Sequence, residues 1–339
     1  MKPTKRVNVF FLILVALHIG ASVAVTMLST QAVKLGTFTS LMLTQLLILV
    51  PSFLFFLIFG YDVFEWIPFK KLRKGTIALT VLFAFLIMPV ISFVNVFSQL
   101  FTSNEIVGNA NEILSMPVVL TVFIVGLFGP FCEEFTFRGV IYGGLKKSGY
   151  LLAAAAVSGI WFGLMHLNFN QFSYALILGI VLSLLVEASG SIYASIIVHA
   201  VINTWNILLL MAAERFYSAM GINVFEEASR MITNDYKFLT MGLILVVSVV
   251  TTLLATGVFI AISNHEGRLD KVMSVFGKNG DKVDTDRDEE ESGEETYEET
   301  YEETEKGSGH VVTLSGYMAM ALCFFVIFFL NKVLAFFIK

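Results

Sequence analysis

Apolar residues fill most of this chain in long runs that are separated by short polar segments. A run of about 20 apolar residues is long enough to span the hydrocarbon core of a bilayer as an α-helix. Lipid offers no hydrogen bonds to the backbone, so the chain must be helical where it crosses. The runs lie at about residues 8–29, 37–59, 76–98, 117–147, 151–167, 172–186, 192–211, 238–263 and 311–337. The pattern predicts an all-α, polytopic transmembrane helix bundle of about nine spanning helices.

Lysine and arginine residues concentrate in alternate connections between these predicted helices. The basic connections are at 70–74, 138–147 and 268–282. Short loops rich in Lys and Arg stay in the cytoplasm under the positive-inside rule. The connections at 99–116 and 212–235 are then external. We predict a multi-pass protein of the cell membrane, with its N-terminus in the cytoplasm and its C-terminus outside.

Composition separates an apolar body from one acidic segment. The chain is 56% hydrophobic and 14% charged, with a mean hydropathy of +0.79, which excludes an ordinary soluble domain. Residues 281–306 hold fourteen Asp or Glu and three Lys or Arg, so their net charge is −11 and the remainder carries +6. Such a segment cannot bury enough apolar surface to fold alone, which predicts a disordered acidic linker at 281–310. No strongly basic, aromatic-rich stretch indicates a nucleic acid partner.

Three ionisable side chains interrupt the fourth apolar run. Charged groups inside a membrane are costly and mark functional sites by default. Glu134 and Arg138 are four residues apart on one helix face, so we expect an ion pair between them. Glu133 points about 100° away from Glu134 and stays available. A desolvated carboxyl near a histidine is a candidate general base.

Two later helices carry further polar side chains to a similar depth. The turn signals at 149–150 lie midway between Glu133 and His166, so a hairpin there places both residues at one level. His199 comes about 12 Å into its own helix, and Asn203 follows one turn later on the same face. A lone buried histidine or asparagine often serves only as a hydrogen bond between helices. The joint occurrence of these groups favours catalysis.

Two further residues, Phe162 and Glu187, are expected to have structural roles. Phe162 lies one turn before His166 and is expected to pack against the imidazole ring. Glu187 lies near a predicted helix end and is expected to be a charge at the membrane interface.

The polar residues form three ordered motifs. EExxxR is at 133–138, FxxxH at 162–166 and HxxxN at 199–203. Together they resemble the type II CAAX prenyl protease and bacteriocin-processing family of intramembrane proteases. The resemblance covers about residues 117–211 and implies an intramembrane endopeptidase that cleaves a membrane-associated protein or peptide.

The resemblance also implies a role for each motif residue. Glu133 and His166 would activate the attacking water, while His199 and Asn203 would bind the oxyanion of the tetrahedral intermediate. Eukaryotic members remove the last three residues of prenylated proteins. Bacterial members are linked to peptide maturation, bacteriocin immunity or regulation of envelope proteins, and nothing in the sequence selects one substrate.

Metal dependence stays open at the level of the sequence. Glu133, His166 and His199 would also suit a zinc site with a water in the fourth position. The family is described both as a glutamate-type peptidase and as a zinc-dependent metalloprotease. Asn203 favours the metal-independent mechanism, because an amide is a poor zinc ligand and a good oxyanion donor.

Two other function classes are compatible with parts of the pattern. A catalytically silent membrane scaffold would use the same fold to hold a partner. A transporter would relay protons through buried Glu and His residues, but the broken-helix pairs and internal repeats of many transporters are not evident. The complete polar motif set favours the enzyme.

We divide the chain into five parts. They are three N-terminal helices at 1–116, a protease core at 117–211, an external loop with the eighth helix and a basic segment at 212–280, the acidic linker at 281–310 and a last helix at 311–339. The catalytic cavity is expected to open toward the cytoplasmic half of the bilayer. The predicted partners are lipid and a membrane protein or peptide substrate, and the sequence carries no sign of an oligomeric state.

Overall fold

The described part of the chain is a bundle of helices. The computed structural model describes residues 2–30, 35–102, 111–223, 237–276 and 310–327. All regular elements in these ranges are helical, so the predicted all-α class is confirmed. The main helices are α1 (Pro3–Thr30), α2 (Thr37–Phe59), α3 (Val63–Trp66), α4 (Lys74–Ser98), α5 (Val118–Ser148), α6 (Leu151–Leu164), α7 (Phe169–Ser189), α8 (Ile192–Ala219), α9 (Lys237–His265), α10 (Leu269–Phe276) and α11 (Leu314–Phe325).

Seven of the described helices are long and apolar enough to cross a membrane, namely α1, α2, α4, α5, α7, α8 and α9. Two further apolar helices, α6 and α11, are shorter, with 14 and 12 described residues. The chain is therefore a multi-pass membrane protein. The predicted number of about nine spans is an approximate count, because α6 and the described part of α11 are shorter than a full span.

The observed start of α8 agrees with the predicted start, and its observed end differs from the predicted end. The helix begins at Ile192 after the predicted turn, where the Ser191 side chain accepts a hydrogen bond from the backbone N–H of Tyr193. The loop expected from residue 212 begins later, because α8 continues to Ala219. Its last turns contain good helix formers, and the chain leaves the helix just before Gly221, which has φ +72°.

Helix α5 changes its geometry around the two glutamates. Val122–Phe128 and Phe135–Tyr142 are π-helical, and the segment Gly129–Glu134 between them is α-helical. The sequence predicted only a kink at Pro130, which lies at the start of that α-helical segment. A π-helical turn contains one residue more than an α-helical turn, and such turns are frequent at functional sites. The side chains on either side of the glutamates are therefore rotated relative to a regular helix.

Two hydrophobic clusters form the core of the bundle. One joins α1, α2, α5, α6 and α11, and the other joins α4, α7, α8 and α9. Helices α6 and α7 approach each other closely, since a Cβ added to Gly179 would lie 2.6 Å from the Cα of Gly159. Small residues allow this close contact between membrane helices. The candidate polar residues lie on helices of both clusters.

Charged side chains meet at one end of the bundle. Lys146 Nζ lies 2.9 Å from Glu187 Oε1, and Arg268 Nη2 lies 3.4 Å from Glu187 Oε2. Lys70 Nζ lies 3.7 Å from Glu266 Oε2. We call this end, defined by Lys70, Lys146 and Arg268, the basic end. Glu187 is buried there, near the end of α7, and its interpretation as a charge at the membrane interface stays a prediction.

Two predictions fall on residues that lie outside the described ranges. The acidic linker predicted at 281–310 lies outside them except for His310. The last predicted helix is described as α11, and its continuation beyond residue 327 lies outside the described residues.

Candidate active site

Glu134 lies at the centre of a buried ionic cluster. Its Oε1 accepts hydrogen bonds from Arg138 Nη1 at 2.9 Å and from His199 Nδ1 at 2.8 Å. The side chains of Glu134 and Arg138 are both 0% exposed. Desolvated charges of this kind are tolerated only when they are paired and hydrogen-bonded. The ion pair expected from the spacing of four residues is present.

Glu133 differs from its neighbour in both exposure and contacts. Its side chain is 20% exposed, and its Oε2 lies 3.7 Å from His199 Nε2. That separation is too long for a hydrogen bond. The His199 ring therefore stands between the two carboxylates, with Nδ1 bonded to Glu134 and Nε2 facing Glu133. One carboxylate is buried and paired, and the other is accessible.

The Phe162 ring connects the three polar side chains around it. The guanidinium carbon of Arg138 lies 4.5 Å from the centroid of this ring. The ring centroids of His166 and His199 lie 5.2 Å and 5.9 Å from it, and both imidazoles are nearly perpendicular to it. Phe162 thus packs against His166 as the sequence predicted. It also contacts Arg138 and His199, the two hydrogen-bond partners of Glu134.

His166 is held by the end of α6 and the turn that follows. Its Nδ1 lies 2.9 Å from the carbonyl oxygen of Phe162. A carbonyl can only accept, so Nδ1 carries the proton and Nε2 of the neutral ring has a free lone pair. The next residue, Leu167, has φ +54°. Left-handed backbone is uncommon outside glycine and concentrates at active sites.

Asn203 lies one turn beyond His199 on α8 and contacts α5. Its Nδ2 donates a hydrogen bond to the carbonyl oxygen of Val125 at 3.2 Å. The next residue, Thr204, donates to the carbonyl oxygen of Gly126 at 3.4 Å. Both acceptors belong to the first π-helical segment of α5. An amide nitrogen carries two hydrogens, so Asn203 keeps one donor beyond this contact.

Two residues near the glutamates were not predicted from the sequence. Ser195 lies beside Glu134, and the Tyr174 side chain lies within electrostatic range of Glu133. Ser195 precedes His199 by four residues on the same helix face, and this spacing is a signal that the sequence does contain. Tyr174 carries no such signal, because its position depends on how α7 packs.

The zinc site that the sequence permits would have to use Glu133, His166 and His199. Among the described residues, no three His, Cys, Asp or Glu side chains already form a group that could hold a metal ion. His199 bonds through Nδ1 to Glu134, and His166 bonds through Nδ1 to the carbonyl of Phe162. Zinc-binding histidines usually have such a partner on the second ring nitrogen, and these two bonds leave Nε2 of both rings unused.

The central segment of the chain matches a known family model. Residues 115–205 match the model described as "Type II CAAX prenyl endopeptidase Rce1-like". The resemblance to the type II CAAX protease family is confirmed over this segment. All three motifs lie inside the matched residues. The helices α1 to α4, the second half of α8 and the helices α9 to α11 lie outside them.

One curated protein extends the comparison beyond this segment. It is "Putative membrane peptidase YdiL" of Bacillus subtilis (strain 168), which is 25% identical over 182 residues. The alignment covers 50% of this chain and 73% of that protein. No solved structure matches the chain. The family match and this relative both support the function of a membrane peptidase.

Proposed function

We propose that this protein is an intramembrane endopeptidase that hydrolyses a peptide bond of a membrane-associated protein or peptide. The observation that carries the proposal is the difference between two adjacent carboxylates. Glu134 is buried and paired with Arg138, whereas the Glu133 side chain is 20% exposed and has no bonded cation among the described residues. The arrangement leaves one carboxylate free for proton transfer while its neighbour holds the site together.

In the proposed reaction, Glu133 removes a proton from a water molecule as the water oxygen attacks the substrate carbonyl carbon. His166 holds that water through the lone pair on Nε2, because its Nδ1 hydrogen is bonded to Phe162. When the tetrahedral intermediate collapses, the carbon–nitrogen bond breaks and the proton passes from Glu133 to the leaving amine. A general base of this kind contributes about 100-fold to 10,000-fold to the rate.

His199 and Asn203 are the proposed donors to the oxyanion. The free N–H of the Asn203 amide is available for this role. His199 donates Nδ1–H to Glu134, and its Nε2 can donate to the oxyanion when the ring carries a hydrogen on both nitrogens. Glu134, Arg138 and Phe162 act by fixing the position of His199.

The site residues belong to the predicted protease core at 117–211. We propose that the basic end faces the cytoplasm, because its Lys and Arg residues lie in short connections. The catalytic cavity would then open toward the cytoplasmic half of the bilayer. Cysteine labelling at position 72 should succeed from the cytoplasmic side only.

The proposal is tested by comparing the membrane proteins of cells that make wild-type protein with those of cells that make Glu133→Gln at the same level. We expect a shortened membrane protein or peptide only with the wild type, and no loss of folded Glu133→Gln. Glu65→Gln is the matched control, because Glu65 is exposed and far along the chain from the motifs. If Glu133→Gln retains full cleavage, Glu133 is not the base.

The same cleavage assay decides the question of the metal. We expect purified protein to keep its activity after exhaustive chelation, because the Asn203 amide is a poor zinc ligand and a good oxyanion donor. Complete loss of activity on chelation, restored by zinc with about one metal per site, would establish the metalloprotease mechanism instead. If cells that make wild-type protein and cells that make Glu133→Gln contain the same membrane proteins, without any shortened product, a catalytically silent scaffold is favoured.

A further inference from the structure

The first helix lies outside the family-matched segment and carries a half-buried histidine, His18. Helix α1 presents one buried stripe to the bundle, formed by Thr4, Val7, Phe11 and Leu14. At the basic end, Thr4 Oγ1 donates to the carbonyl oxygen of Gly144 at 3.2 Å. Further along, the Phe11 ring stacks on Trp161 of α6 with centroids 4.1 Å apart. Helix α1 therefore runs away from the basic end in the same direction as α6, and the two helices meet at Phe11 and Trp161.

His18 lies on the same face of α1 as this stripe, and its side chain is half-buried. It lies seven residues after Phe11, which is two helical turns, on the same face and about 10 Å further along the axis. His166 lies five residues after Trp161, about 8 Å along the direction of α6. Since Phe11 and Trp161 are in contact, the two histidines reach nearly the same level of the bundle.

The environment of His18 indicates a polar partner. Its ring is near enough to His166 that positive charges on both would repel each other. Its Nδ1 is buried and has no hydrogen-bond partner among the described residues. No hydrogen bond joins the two rings, and the one bond of the His166 ring runs from Nδ1 to the carbonyl of Phe162. Polar groups at membrane depth usually face a cavity or another polar group, and His166 is the polar side chain near this ring.

A peptide that is cleaved within a membrane has a particular need for such groups. The scissile bond must leave its helical hydrogen bonds before water can attack it, and lipid cannot replace those bonds. The enzyme must therefore supply donors and acceptors to the extended backbone of the substrate. A neutral imidazole offers one donor and one acceptor, and it can bond to either an N–H or a C=O group.

We propose that His18 binds the substrate, by a hydrogen bond between its imidazole and the peptide backbone next to the bond that is cleaved. This inference rests on the proposed peptidase function and adds a residue of α1 to the site. It predicts that the N-terminal helix, which lies outside the family-matched segment, is required for activity.

Replacing His18 separates substrate binding from chemistry. His18→Leu should raise KM about tenfold and change kcat less than about twofold, because one hydrogen bond made equally in the ground and transition states is lost. His18→Asn should restore KM to within about threefold of the wild type, since the amide keeps polar atoms near the Nδ1 position. Phe11→Leu is the packing control, which should lower Tm without changing KM.

The measurement uses the full chain in proteoliposomes with a fluorogenic peptide that spans the cleavage site found by the comparison of membrane proteins. Wild type and Glu133→Gln are assayed beside the three variants. If the wild type cleaves and Glu133→Gln does not, but His18→Leu keeps the wild-type KM, the His18 inference alone is wrong. The same holds if His18→Leu lowers kcat and Tm as a packing defect and His18→Asn does not restore KM. If the wild type cleaves no membrane protein, the peptidase function and the His18 inference both fail.

Discussion

Two clusters in this bundle place a buried carboxylate between nitrogen groups. Glu134 lies between Arg138 and His199 in the middle of the bundle, and Glu187 lies between Lys146 and Arg268 at the basic end. We call them the Glu134 cluster and the Glu187 cluster. The Glu134 cluster has a second, accessible carboxylate beside it and two imidazole rings within reach. Among the residues that the structure describes, the Glu187 cluster has neither, so it serves to join α5, α7 and the segment after α9.

The comparison shows that a buried ion pair in a membrane helix does not by itself identify a catalytic site. Both clusters satisfy the requirement that a desolvated charge be paired. The Glu134 cluster has one additional feature. The neighbouring carboxylate of Glu133 is accessible and does not belong to the ion pair of Glu134 with Arg138. Substitutions in the two clusters should therefore affect stability in both cases and activity in only one.

The largest effect on stability is expected from Arg138→Met. It leaves the Glu134 carboxylate buried without its cation, which costs about 3–5 kcal/mol for pairs of this kind. Tm in detergent and the yield of folded protein measure the loss. The double variant Arg138→Met with Glu134→Leu should recover much of the Tm, because apolar residues of similar volume often replace a buried ion pair without loss. An unchanged Tm for Arg138→Met alone would contradict this account of the pair.

Asn203→Ala should act on the rate and spare the fold. Removal of an oxyanion donor typically lowers kcat about 100-fold to 1,000-fold, and the substrate KM should change little. Asn264→Ala is the matched control, since Asn264 is exposed near the basic end. Assays of both purified variants in proteoliposomes give the comparison. Equal rates for the two would remove Asn203 from the oxyanion site.

Lys146→Met tests the Glu187 cluster with a smaller expected effect. Arg268 still contacts Glu187 in this variant, and the Lys146 side chain is 29% exposed. We expect a loss of about 1 kcal/mol or less after allowing for solvent screening. Cleavage activity at 25 °C should stay at the wild-type level. A loss of activity at unchanged Tm would show that the two clusters are coupled.

The smallest effect concerns Glu266 at the basic end. Burial alone would raise the pKa of this carboxyl, but hydrogen bonds from Thr76 Oγ1 and the backbone N–H of Arg73, with the charge of Lys70, outweigh burial and hold the pKa below its ordinary value of 4.5. A lowered pKa in the folded state contributes stability above the unfolded pKa, and this contribution is lost as pH falls through the folded pKa.

The difference in Tm between wild type and Glu266→Gln should therefore be full at pH 7 and should shrink below about pH 4. Thermal unfolding in detergent at a series of pH values measures it. Glu65→Gln should show no such pH-dependent difference, because Glu65 is exposed. A difference for Glu266→Gln that stays constant down to pH 3 would contradict the assignment.

Much of the candidate site could be predicted from spacing within single helices. The Glu134 and Arg138 pair follows from the four-residue spacing, and Phe162 with His166 follows from the same rule on α6. The burial of Glu187 could not be predicted in this way. Its partners Lys146 and Arg268 lie 41 and 81 residues away, so the contact depends on how separate helices pack.

The sequence by itself determined the all-α membrane class, the approximate positions of the helices and the residues that make up the three motifs. These features depend on the length of apolar runs in a solvent that cannot hydrogen-bond the backbone, and on residue spacing along one helix. Only the tertiary structure decided how the helices are rotated. The π-helical segments of α5 and the packing of α5 against α8 set the contact of Asn203 with Val125. Such contacts join residues far apart in the chain, and no local pattern specifies them.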